Sequence, residues 1–153
     1  MHDDTQIARV IVMGKALRNG QFPVRWVSDL GYGYGYPLYN FYGPLPYYIG
    51  GTLYAAGLNG LTSTKAIMVL GMIFSALTMY FFVKTLFGHS SGVIAGLLYA
   101  YAPYHAVQLY VRGALGELWA YALLPVLFLG VFLGADVNRR KHGVWVGGFG
   151  LAG

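Results

Sequence analysis

The sequence predicts an all-α fold: a polytopic transmembrane helical bundle preceded by an outer loop of short interfacial helices. Three observations carry this. Hydrophobic residues make up 57% of the 153-residue chain and charged residues 10%, against about 25% charged in ordinary soluble domains. So few charges cannot cover a water-facing surface, and lipid is the natural solvent for the remainder. Three uncharged runs are also long enough to cross a bilayer. Finally, aromatic residues reach 17%, with 14 tyrosines, and amphipathic rings favour the water–lipid boundary.

The net charge of +5 belongs to basic loops of a membrane protein. No dense basic run or base-stacking module points to nucleic acid. The absence of cysteine excludes disulfides and thiolate metal sites and leaves the compartment open. The start has no basic segment running into an apolar one, so no signal peptide is expected. The end, GVWVGGFGLAG, stops partway into an apolar run. The chain reads as an N-terminal portion of a larger membrane protein, with residues 1–60 as an extracytoplasmic loop and 61–153 as transmembrane helices.

Residues 4–18 predict a surface helix. Ile7, Val10, Ile11, Gly14 and Leu17 recur at helical spacing, with Gln6, Arg9, Lys15 and Arg18 mostly elsewhere. It is too short to span and is expected in the interface. Asp3 or Asp4 is expected to cap its start, and Asn19-Gly20 to stop it. Residues 20–42 predict a loop: Gly31, Gly33 and Gly35 alternate with Tyr32, Tyr34 and Tyr36, and the glycines weaken a strand reading. Residues 44–58 are apolar but too short to cross, and predict a re-entrant or interfacial helix. Residues 66–83, 92–111 and 118–135 carry no charge and predict spans, with a fourth starting at Gly143. Pro103 and Pro125 are tolerable where neighbours serve the freed carbonyl.

Charge distribution then gives an orientation. Lys84 and His89 follow the first span, and Arg139, Arg140 and Lys141 follow the third. Two crossings separate these loops, so they share a side, which the positive-inside rule makes cytoplasmic. Arg112 and Glu117 then face outward, as do residues 1–43 if 44–58 does not cross. The basic excess of Arg9, Lys15, Arg18 and Arg25 over Asp3, Asp4 and Asp29 opposes that placement.

Each candidate site residue has two readings. Asp3 and Asp4 are a base or ligand pair at the mouth of the bundle, or helix caps. Glu117, in Tyr110-Val111-Arg112-Gly113-Ala114-Leu115-Gly116-Glu117, lies at the lip of a span, where burying a carboxylate in lipid costs at least ~2.5 kcal/mol. It is a functional acid, or the partner of Arg112 or of the helix N-terminus. Arg112 can fork onto a phosphate, or pair with Glu117. Arg9 and Arg25 have the same phosphate and structural readings. His2, His89, His105 and His142 show no metal-ligand spacing, and His105 is expected to be a buried hydrogen-bonding residue. The Tyr/Gly run fits an aromatic belt better than a sugar-stacking surface. There is no phosphate-binding GxxxxGK[ST] loop and no GxSxG elbow.

The run GQFPVRWVSDLGYGYGYPLYNFYGPLPYY (residues 20–48), followed by Ala102-Pro103-Tyr104 and by Tyr110 to Glu117, resembles the 6-pyruvoyl-tetrahydropterin synthase-related family of bacterial membrane proteins. Pterin synthases themselves are soluble zinc enzymes with clustered histidines, and no such cluster is present. The layout is also similar to the multi-spanning GT-C glycosyltransferases, which use polyprenyl-phosphate sugars. In that group an outer loop opens with one or two acids, and an interfacial helix begins near a Pro-Leu. Asp3/Asp4, helix 4–18 and Pro44-Leu45 follow that order. The short interval from Asp3 or Asp4 to Arg9 departs from it.

This resemblance implies sugar transfer from a polyprenyl-phosphate donor at the outer face of a bacterial cytoplasmic membrane. Asp3 or Asp4 would be the base. Arg112, with Arg25 and Arg9 as further candidates, would hold phosphate. Glu117 would orient the acceptor or a divalent cation such as Mg²⁺ or Mn²⁺. The competing expectations are a transporter or lipid-handling protein without chemistry, and a structural membrane component.

Overall fold

The computed structural model describes residues 5–135 and 140–152. The described residues are helical, with no strand and one antiparallel bridge, Val27 to Tyr36. The chain forms two compact units, Met1–Val69 and Leu70–Gly153.

In the first unit, α1 spans Gln6–Arg18 and α2 spans Leu45–Ala55. Thr5 occupies the N-cap position of α1 without a side-chain cap bond, and the helix starts at Gln6, two residues later than expected. Asp3 and Asp4 lie outside the described residues. Asn19 and Gly20 close the helix as their types suggest, Gly20 at φ +77°. The two helices approach closely because glycines face each other. A Cβ on Gly14 would sit 2.8 Å from the Gly51 carbonyl oxygen, and one on Gly51 would sit 2.5 Å from Met13 Cγ. Val10, Met13, Tyr47 and Ile67 are buried there. Tyr47 donates its hydroxyl proton to Gln6 Oε1 at 2.8 Å. Arg18 donates to the Tyr54 and Ala55 carbonyls, at 2.8 and 3.1 Å through Nη2, so a cation closes the negative end of α2.

The loop between them is irregular. Gly31, Tyr32, Gly33 and Gly35 all have positive φ, so the Tyr/Gly alternation is a set of left-handed turns rather than a strand. The Val27–Tyr36 bridge closes it with N–H···O bonds of 3.0 and 2.9 Å. A short 3₁₀ turn, Leu38–Asn40, follows. Its Tyr39 donates to the Arg9 carbonyl at 2.7 Å. Burial, followed by the neighbouring Tyr47, pushes the Tyr39 hydroxyl pKa well above its ordinary value.

α3 runs Gly60–Phe87, started by Asn59, whose Oδ1 accepts the Thr62 N–H at 2.7 Å. At 1.5 Å per residue it is about 42 Å long. α6 runs Leu115–Ala135, about 31 Å. These two helices are long and apolar enough to cross a membrane. Along α3, Val69, Ile73, Leu77 and Phe81 form an exposed stripe at helical spacing. Lipid solvates such a stripe without the cost that water imposes.

The stretch 92–111, expected as one span, is broken. α4 covers His89–Ala100, α5 covers Pro103–Ala106, and a π-helical turn covers Val107–Arg112. Pro103 is the cause: it supplies no N–H, and it forces Ala102 into an extended conformation (φ −55°, ψ 131°). Pro125, by contrast, sits inside α6 without breaking it. The carbonyl it frees, that of Tyr121, accepts the Tyr99 hydroxyl at 3.1 Å. α7, Arg140–Ala152, begins before the expected Gly143 and packs on α6 through glycines. Gly130 faces Gly147, and Gly143 faces Gly134, backbone against backbone. This small-residue spacing lets helices touch without side chains between them.

Candidate functional site

The end of the π-helical turn and the start of α6 bring four polar side chains together. The Gly113 N–H donates to the Gln108 carbonyl at 2.7 Å. Gly113 itself is left-handed (φ 67°, ψ 26°), a conformation that suits glycine. The reversal there puts Arg112, at the end of one element, opposite Glu117, in the first turn of the next. A carboxylate at that position also favours the helix N-terminus.

Arg112 meets Glu117 end-on. Nη1 donates to Oε2 at 2.7 Å and Nη2 to Oε1 at 2.6 Å. Gln108 Nε2 donates to the same Oε2 at 3.1 Å, and Arg112 Nη1 reaches the Tyr104 hydroxyl at 3.3 Å. The Arg112 and Glu117 side chains are 45% and 43% exposed, whereas Gln108 is buried with its Oε1 unbonded. The pairing reading of these two residues is what the structure shows. Both Glu117 oxygens are engaged, so a divalent cation there would compete with the guanidinium. The Nε edge of Arg112 makes no bond to any described residue. Nε and Nη2 form the second fork of a guanidinium, open to a bidentate oxyanion.

The other candidates are placed as follows. Arg9 stacks on Tyr42, 4.2 Å from the ring centre, and donates to its hydroxyl at 3.2 Å. Arg25 is exposed and borders a groove in the first unit. His105 is buried and hydrogen-bonded to Ser75 Oγ at 3.0 Å, between the rings of Tyr99 and Tyr121, as its sequence setting suggested. Among the described residues, no three of His, Cys, Asp and Glu gather in a metal-ligating group.

Sequence reasoning missed Gln108 and Tyr104. The signal was present for Gln108: an amide within an uncharged span-like run asks for a partner. Its partner was nine residues on, and only the turn at Gly113 folds the two together.

The family model for the 6-pyruvoyl-tetrahydropterin synthase related domain, described as a membrane protein, matches residues 39–146. Neither curated proteins nor solved structures give a match. With the greater part of its length covered, including both long apolar helices and the Arg112–Glu117 cluster, the chain belongs to the 6-pyruvoyl-tetrahydropterin synthase related family of membrane proteins.

Proposed function

We propose that this membrane protein is part of a polytopic, GT-C-like glycosyltransferase. It would transfer a sugar from a polyprenyl-phosphate donor at the outer face of a bacterial cytoplasmic membrane. The observation that supports this reading is the open Nε–Nη2 edge of Arg112, held in place by Glu117 at the head of a candidate span. A guanidinium fixed on one edge and open on the other is preorganised for phosphate.

In the proposed reaction an acceptor hydroxyl oxygen bonds to the anomeric carbon. The bond from that carbon to the phosphate oxygen breaks, and the polyprenyl phosphate leaves as an anion on Arg112. The hydroxyl proton passes to Asp3 or Asp4. Glu117 acts through Arg112, as its positioning residue.

The test is sugar transfer from a radiolabelled polyprenyl-phosphate sugar by the protein in its full-length form, reconstituted in liposomes. Asp3→Ala with Asp4→Ala is expected to lower the rate about 10²–10⁴-fold, the range of a positioned base. Arg112→Gln should lower it with a raised donor KM. Unchanged transfer in the Asp3, Asp4, Arg112 and Glu117 variants ends the enzymatic assignment.

A further inference from the structure

A second feature lies wholly within the first unit and does not depend on sugar transfer. An open groove of about 920 Å³ runs between the loop after α1 and the start of α2. Phe22, Pro44 and Leu45 give it an apolar wall, and Arg25, Asn40 and Tyr48 give it polar atoms. Arg25 makes no hydrogen bond or ion pair with any described residue. The Tyr48 hydroxyl accepts the Val24 N–H at 2.7 Å, and its own proton goes to no described acceptor. The Asn40 amide is exposed and likewise uncommitted. No acid lines the groove. The acid described in this unit, Asp29, is engaged with Lys15 at 3.0 Å.

A full positive charge, a spare hydroxyl proton and a side-chain amide therefore face one space with no anion to neutralise them. We infer that this groove binds the phosphate of an anionic membrane lipid. Arg25 forks onto the phosphate oxygens, and the first carbons of the tails lie against Phe22, Pro44 and Leu45.

Two observations favour a lipid over a free phosphate. The wall is apolar, which a free phosphate does not use. The neighbouring rings are also exposed, Phe22 at 79% and Phe41 at 70%, with Trp26 and Tyr42 also exposed. Exposed rings on a loop that also carries a basic residue suit the headgroup level of a bilayer.

The experiment uses the full chain in nonionic detergent micelles, with dihexanoyl phosphatidic acid and inorganic phosphate as probes, read by native mass spectrometry. The wild type should bind the short lipid. Arg25→Gln should weaken that binding about tenfold or more, the size of one charge-assisted bond, and Arg25→Glu should abolish it. Arg25 is exposed, so both variants should keep the wild-type helix content. Arg112→Gln should leave the Arg25-dependent binding unchanged, which separates the groove from the Arg112 site. Unchanged affinity in the Arg25 variants overturns the inference. So does loss of binding in Arg112→Gln, or inorganic phosphate binding as tightly as the lipid.

Discussion

The Tyr99 hydroxyl donates a 3.1 Å hydrogen bond to the backbone carbonyl of Tyr121, the one carbonyl in α6 that Pro125 cannot serve. A proline inside a helix removes the N–H four residues on from that carbonyl. In lipid no water replaces it. One tyrosine on α4 thus makes a proline on α6 tolerable. Tyr99→Phe should destabilise the protein by about 1 kcal/mol. In a Pro125→Ala background the helix regains a backbone N–H at that position for the Tyr121 carbonyl, and the same substitution should cost clearly less. Unfolding of the four proteins in mixed micelles gives the coupling directly; equal costs in both backgrounds would mean the tyrosine serves some other purpose.

The α6–α7 seam should reject any side chain. A Cβ on Gly130 or Gly143 would meet backbone atoms of the facing helix, not a movable side chain. Gly130→Val and Gly143→Val should each destabilise by several kcal/mol, beyond the ~1–3 kcal/mol of ordinary overpacking. Gly148, whose added Cβ would meet nothing within 4 Å, is the control. Gly148→Ala should be neutral or slightly stabilising, since alanine favours a helix over glycine by about 1 kcal/mol. Thermal unfolding of the three variants checks this order.

Alkaline pH should loosen the first unit. Burial holds the Tyr39 hydroxyl protonated in the fold at pH values where an unfolded chain ionises it. Its contribution is therefore intact below the ordinary tyrosine value of about 10 and declines as pH rises above it. Unfolding followed from pH 8 upward should show stability falling from about pH 10. Tyr39→Phe, less stable at neutral pH through loss of its bond to the Arg9 carbonyl, should show a shallower decline.

Gln108→Met should separate stability from function. It removes a bond to the Glu117 carboxylate, worth ~1.5–3 kcal/mol, and also a buried oxygen without a partner, which costs ~1–3 kcal/mol. The two nearly cancel, so melting should shift little. Glu117 loses one of its three hydrogen bonds, however, which loosens the aim of Arg112. On the proposed sugar transfer, donor KM should rise several-fold. A large stability loss with unchanged KM would make Gln108 a packing residue only.

Much of this architecture was legible because solvent preference is written into composition. The runs 66–83 and 118–135 lie within the observed α3 and α6, and Asn19-Gly20 ends α1 as its residue types suggest. The break in 92–111 was not legible in the same way. Pro103 and Pro125 look alike in sequence. The Tyr121 carbonyl freed in α6 is served by a distant hydroxyl, while the Tyr99 carbonyl before Pro103 is served locally by the Ala102 N–H in a turn. Which partner serves is a tertiary fact. The Arg112–Glu117 pair was one of two open readings, because spacing alone does not say that Gly113 turns the chain back. Gln108 escaped notice since an isolated amide carries no periodicity.

The glycine seam has a mechanical side. Two helices in direct main-chain contact have no cushion of rotamers between them, so α6 and α7 must shift as one piece. The described helices before α6 in this unit are interrupted at Tyr101–Ala102 and at Gly113. The second interruption separates Arg112 from Glu117, so any swing there makes or breaks the clasp between the two charges.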